Sequence, residues 1–233
     1  MTPRSPAVRS TSARRVASSG MRDYDVRVAL RAHLDTEHAN DLASTRFVEE
    51  LGLCGESRVD LAVINGSLTG YELKSARDTL TRLPGQVATY GRVLDFAFLV
   101  VADNHLGHAR AIIPAWWGVY VAKDTEDGVI VKQRRKARPN PRVDAYSLAQ
   151  LLWREEALSL LTSRGLDAGV RSQPRHVLWE RLAGELELDD LKDQVRDVLK
   201  ARRGWRESPE RRGSAATSPP SGRTPRFLAR RLR

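Results

Sequence analysis

Val59-Asp60-Leu61-Ala62-Val63-Ile64-Asn65-Gly66-Ser67-Leu68-Thr69-Gly70-Tyr71-Glu72-Leu73-Lys74-Ser75 reads as two strands around a turn. Its two acids, Asp60 and Glu72, sit inside apolar runs where half-buried or buried strands rarely carry charge. A buried charge needs a partner, and a divalent cation is a common one. Side chains two apart on a strand share a face, so Glu72 and Lys74 point the same way. Whether Asp60 joins them depends on the turn. A two-residue Asn65-Gly66 loop pairs even positions with odd ones and puts Asp60 and Glu72 on opposite faces. A three-residue loop with Gly66 in the left-handed conformation pairs like with like and puts them on one face. The sequence permits both.

Further elements follow on either side. Residues 23–34 form a helical stripe through Val26, Ala29, Leu30 and Leu34. Residues 46–52 are a short segment bearing Glu49 and Glu50; read as helical, it can turn only one of the two toward the sheet, and Phe47 and Leu51 favour Glu50. Pro84 suits the first turn of a helix through Val93, with Asp78 or Thr79 as its cap. Residues 95–102 are a continuous apolar run, the signature of a central strand. A short helix at 105–113 and strands at 118–122 and 129–132 complete an α/β unit.

Asp60…Glu72-Leu73-Lys74 resembles the PD-(D/E)XK nuclease signature. Gln86-Val87-Ala88-Thr89-Tyr90, on the next helix, is similar to the Gln-x-x-x-Tyr motif of the RecB-like branch. The resemblance covers roughly residues 21–122. The proline that often precedes the Asp is absent, and Arg58-Val59 stands there. The resemblance implies a restriction-endonuclease-like mixed sheet flanked by helices, and metal-dependent hydrolysis of DNA phosphodiesters. It implies Asp60, Glu72 and the Leu73 carbonyl as ligands of Mg²⁺ or Mn²⁺, and Lys74 acting on the attacking water. Glu50 would complete the site from a first core helix. Gln86 and Tyr90, four apart on one helical face, would line it near the nucleic acid. Apart from the resemblance, Arg77 or Arg82, after the Lys74 strand, reads either as a phosphate contact or as plain loop charge beside a helix cap. The plain alternative is Glu72 paired with Lys74 or Arg58 on a solvated face, in a nuclease-fold module that binds DNA or a partner protein without cutting.

The net charge of +10 does not decide between these. Residues 1–22 carry five Arg and no acid, and residues 207–233 carry seven Arg against two Glu. These two segments hold the whole excess, leaving 27 basic and 27 acidic residues between them. Residues 1–20 lack the apolar core of a secretory signal and read as a disordered extension upstream of a start at Met21. The nuclease-like core is expected over 21–133, a basic, solvent-exposed linker over 134–145, and a helical C-terminal subdomain over 146–205; the basic run 132–142 reads equally as a solvated linker or as a stretch that tracks a DNA backbone. Helices are expected at 146–163, 175–185 and 188–203, and a disordered tail over 206–233. No apolar run reaches the ~20 residues of a membrane helix. A single cysteine, Cys54, fits a reducing, cytoplasmic setting. Trp116 and Trp117 read as core packing rather than base-stacking platforms, and His105 and His108 as a solvated helix face.

Overall fold

The computed structural model describes residues 21–203; the extension expected at 1–20 and the tail at 206–233 lie outside the described residues. In chain order the elements are α1 (Asp23–Glu37), β1 (Arg46–Leu53), β2 (Ser57–Ile64), β3 (Leu68–Lys74), α2 (Leu83–Val93), β4 (Phe96–Ala102), α3 (Leu106–Ile112), β5 (Gly118–Thr125), β6 (Gly128–Arg135), α4 (Ala145–Ala149), α5 (Arg154–Ser163), α6 (Arg175–Glu185) and α7 (Leu188–Ala201). The strands form one six-stranded sheet in the order β1-β2-β3-β4-β5-β6. β3, β4 and β5 run parallel, and the outer pairings are antiparallel. The apolar run at 96–102 takes the parallel centre, where both faces are covered.

The β2–β3 turn has three residues, since Ile64 pairs with Leu68 and Leu61 with Tyr71. This count sets Asp60 opposite Glu72. The turn is not built as expected, because Gly66 does not enter the left-handed region. Asn65 closes it instead: its side chain accepts from the Ser67 N–H at 3.1 Å, and its own N–H bonds the Ser67 carbonyl at 3.1 Å. A side chain that mimics a backbone turn thus supplies the odd loop length.

α1 lays Val26, Leu30 and Leu34 on Leu61, Val63, Tyr71, Leu73 and Val100. By strand alternation Gly70, Glu72 and Lys74 face the other way, toward α2. Gly70 is required there, because a Cβ would stand 2.4 Å from Leu94 Cδ1 and 3.0 Å from Val59 Cγ2.

Three expectations are corrected. Residues 46–53 form a strand, not a helix: Glu-Glu-Leu has helical propensity, but pairing with β2 from Arg46 to Leu53 overrides it. The stretch 134–145 is not a free linker. Arg134 and Arg135 end β6, Arg138 N–H donates to the Trp116 carbonyl at 2.8 Å, and the Asn140 amide donates to Gly91 and Leu94 carbonyls at 2.9 and 2.7 Å. The helix expected over 146–163 breaks at residues 150–153 into α4 and α5.

No boundary separates the C-terminal helices from the sheet. Arg46 donates to the Lys200 carbonyl at 3.0 Å, and Trp179 Nε1 to that of Leu152 at 3.1 Å. Among the described residues no helix is long and apolar enough to cross a membrane.

Candidate active site

Glu72 is 1% exposed, and its carboxylate is the centre of the site. Lys74 Nζ donates to Oε1 at 2.5 Å, from two residues along the same strand face. Gln86 Nε2 donates to the same oxygen at 2.6 Å, and the Tyr90 hydroxyl to Oε2 at 2.5 Å. The spacing of four on α2 is what lets Gln86 and Tyr90 reach one carboxylate. Charge-assisted bonds of this kind offset the desolvation of a buried acid and ammonium. The Tyr90 ring is fully buried and stacks on Trp117, with centroids 5.6 Å apart and planes 9° apart. Burial, then the charge and hydrogen bond of Glu72, hold its phenol far above its ordinary pKa. Tyr90 therefore bears on Glu72 and not on a surface open to bases.

Asp60 stands where β2 and β3 part. The ladder ends at Leu61–Tyr71, and beyond it Asp60 Oδ2 accepts the Leu73 N–H at 2.8 Å. On the other side, Glu50 and Asp60 are the positions missing from an otherwise continuous β1–β2 register, and Glu50 has φ 54°. A left-handed glutamate costs roughly 1–2 kcal/mol. Its location beside Asp60 frees that residue to turn toward β3. Arg27, on α1, donates to the Asp60 carbonyl at 2.9 Å and approaches its carboxylate at 4.0 Å. The Asp60 carboxyl is pushed up from 3.8 to about 7, first by burial and next by the charge of Glu72. The Leu73 N–H, Arg27 and Lys74 pull it down, but not enough to balance these.

The two acids, Lys74 and Gln86 line a cleft of about 690 Å³ that Asp23, Arg58 and Arg82 also border. Of the residues read from sequence, Asp60, Glu72, Leu73, Lys74, Gln86 and Tyr90 come together. Arg82 is exposed on the rim, and Arg77 is exposed outside the lining. Glu50 does not join them: it is exposed on β1 and faces Arg58 at 3.5 Å. The acid that the first core helix brings to the cleft is Asp23, which bonds Arg27 at 3.4 Å. Sequence reading missed Asp23 and Arg27, whose i, i+4 spacing on a predicted helix was the available signal. Asp78 accepts from the Ser75 N–H and hydroxyl at 2.7 and 2.6 Å, shaping the loop after Lys74 rather than capping α2.

The donor set fits a hard cation. Gln86 Oε1 is buried with no hydrogen-bond partner among the described residues, beside two carboxylates that repel each other. All the available donors are oxygens, which suits Mg²⁺ or Mn²⁺ over softer metals. Among the described residues no three His, Cys, Asp or Glu converge, so main chain and water would fill the remaining positions.

The molecule is thus a mixed α/β protein whose six-stranded sheet carries an acidic pair and a buried lysine under one helix. It belongs to the bacteriophage P4 protein cII family, whose model matches residues 17–209. Protein cII of Enterobacteria phage P4 is 26% identical over 183 residues, 78% of this chain and 68% of that protein. Among solved structures, a protein of unknown function from Silicibacter pomeroyi matches over 65% of this chain and 95% of its own, at 21% identity and TM-score 0.37. SfsA of Pyrococcus furiosus, determined in complex with Ca²⁺, matches over 48% and 64%, at 12% identity and TM-score 0.29.

Proposed function

We propose that this protein is a PD-(D/E)XK-type nuclease that hydrolyses DNA phosphodiester bonds with Mg²⁺ or Mn²⁺, in DNA processing or defence in the cytoplasm. The observation that carries the reading is the meeting of Asp60, Glu72 and Lys74 in one cleft, with the Asp60 carboxyl raised to about 7 by burial and its acidic neighbour. Asp60, Glu72 and the Leu73 carbonyl would hold the cation, which supplies Lewis acidity toward a phosphodiester. The Leu73 N–H fixes the Asp60 carboxylate. Gln86 and Tyr90 orient that of Glu72. Lys74, held against Glu72, offers an ammonium to the attacking water or to charge growing on the phosphate. Arg82, exposed on the rim, is placed to bind a flanking phosphate.

One observation favours a second reading, a non-catalytic module of this fold that binds DNA or a partner protein. Both oxygens of Glu72 already accept protein donors, three in all. The test is cleavage of supercoiled plasmid and of single-stranded DNA with Mg²⁺ or Mn²⁺, by the wild type and by Asp60→Ala and Lys74→Ala. Metal-dependent cleavage lost in both variants supports the nuclease. DNA binding with no cleavage under any metal supports the module and ends the enzymatic reading.

A further inference from the structure

Positive charge is distributed unevenly over the sheet. Elsewhere many arginines face an acid: Arg31 with Asp35, Arg92 with Glu56, Arg164 with Asp190, Arg181 with Glu185. At the β6 edge the pattern stops. Arg110, Lys132, Arg134, Arg135, Lys136 and Arg138 form no ion pair among the described residues. All but the half-buried Arg135 are exposed. The acids of the β5–β6 hairpin, Asp124, Glu126 and Asp127, lie at its far tip, around the Thr125–Gly128 pair.

These charges stand on ordered backbone. A bulge between Val119 and Tyr120 in the β5–β6 register sets Arg134 out as the extra residue. Arg135 donates to the Trp117 and Pro114 carbonyls at 2.7 and 3.1 Å, which brings it close enough to Arg110 and Arg138 for their charges to act on it. The Arg138 and Asn140 main chain is then pinned to Trp116 and Asp95. A solvated linker would let like charges separate. Here the fold holds Arg135 near Arg110 and Arg138 with none of them ion-paired among the described residues, and Glu37, which shares a cavity with Lys136, does not pair with it; holding these cations together costs free energy unless an anion is bound.

We infer that the β6 edge and the strap after it form a second nucleic-acid contact, taking the phosphate backbone of a DNA or RNA strand independently of sequence. β6 lies three strands from β3, about 14 Å across the sheet at ordinary strand spacing. Its basic end points away from the Lys74 end of β3, so one nucleic acid reaching both surfaces would cross the sheet. The choice of nucleic acid as the anion rests on the nuclease reading of the cleft; the charge cluster itself does not.

The experiment is fluorescence anisotropy of labelled duplex DNA, single-stranded DNA and single-stranded RNA with the full chain in EDTA, over a salt series. Without divalent metal, binding at β6 is read apart from cleavage in the cleft. Wild type is compared with Arg134→Gln/Lys136→Gln/Arg138→Gln and with a control of equal charge change, Arg31→Gln/Arg164→Gln/Arg181→Gln. Thermal melts establish that both variants fold. The expected result is a salt slope shallower by about 1 for each β6 residue removed, so about 3 in total, with affinity reduced on every sequence. The control should change the slope by less than about 1. Equal changes in both variants would reduce the effect to net charge and overturn the proposal. So would an unchanged slope in the β6 variant, or binding to vesicles of anionic lipid with none to DNA or RNA.

Discussion

Asp95 and Asp60 each accept a backbone N–H of β3, at its two ends: Leu68 donates to Asp95 at 2.8 Å and Leu73 to Asp60 at 2.8 Å. Their charge balance differs. Asp95 faces Arg196 at 3.0 Å and Lys192 at 3.7 Å, and so joins the sheet to α7 with two cations around one acid. Asp60 has one ion pair among the described residues, to Arg27 at 4.0 Å; the charge of Lys74 also lowers its pKa, but burial and the charge of Glu72 outweigh both. A half-buried acid that accepts a strand N–H is therefore not in itself a sign of function. An acid whose charge the protein leaves unmatched, next to another acid and an orphan amide oxygen, is the one that points to a cation.

The largest effect expected from disturbing this contrast is that of Glu72→Ala. It leaves Lys74 buried without its acid, so urea unfolding should register a loss of about 3–5 kcal/mol. Cleavage of plasmid with Mg²⁺ should fall by at least about 10³-fold. A variant that still cuts at the wild-type rate breaks the distinction between the two acids. Asp95→Ala should destabilise by about 2–3 kcal/mol, because Arg196 and Lys192 lose their partly buried partner. Its cleavage per folded molecule should be unchanged; a loss of activity there would make Asp95 more than a joint. Tyr90→Phe removes the hydroxyl's bond to the Glu72 carboxylate, together with its 3.0 Å contact with the Arg58 carbonyl, and should cost about 1.5–2 kcal/mol by the same unfolding assay. It should also slow cleavage while leaving DNA binding alone.

The effect that vanishes at one end of the pH range is the most diagnostic. The folded Asp60 carboxyl titrates at about 7 against 3.8 for an unstrained aspartate. Between these values the native state holds more proton than the unfolded chain, so its stability is fully present below about pH 4 and declines toward pH 7. Asp60→Asn keeps an acceptor for the Leu73 N–H without the charge. It should therefore match wild type near pH 4 and exceed it near pH 8, by on the order of 2 kcal/mol in metal-free buffer. Mg²⁺ should raise the thermal midpoint of wild type near pH 8 and leave that of the variant in place. Equal midpoints for the two proteins across the pH range would remove the electrostatic basis of the proposed cation site.

Much of this arrangement was legible in the chain. Strand periodicity of two set Glu72 and Lys74 on one face, and helical spacing of four set Gln86 and Tyr90 on one face. The Nζ–Oε1, Nε2–Oε1 and O–Oε2 contacts realise both. The helices at 175–185 and 188–201 follow their apolar stripes within one or two residues. Less legible was anything that rests on competition between local preferences. Phe47-Val48-Glu49-Glu50-Leu51 suits a helix as well as a strand, and only the partner strand decided it. The basic stretch after β6 has a linker's composition, but carbonyls from Trp116, Gly91 and Leu94 fix it in place.

The sequence by itself determined which side chains share a face, because that depends on the periods of strand and helix alone. Tertiary structure decided which faces meet. The Asn65 side chain set the loop length and hence the parity of Asp60 with Glu72, and α1 brought Arg27 and Asp23 to the same cleft. The Asn65 turn is a local bond that the sequence leaves as one of two options, whereas the contacts of α1 join segments far apart in the chain, and their energies arise only once burial has removed water from around the charges.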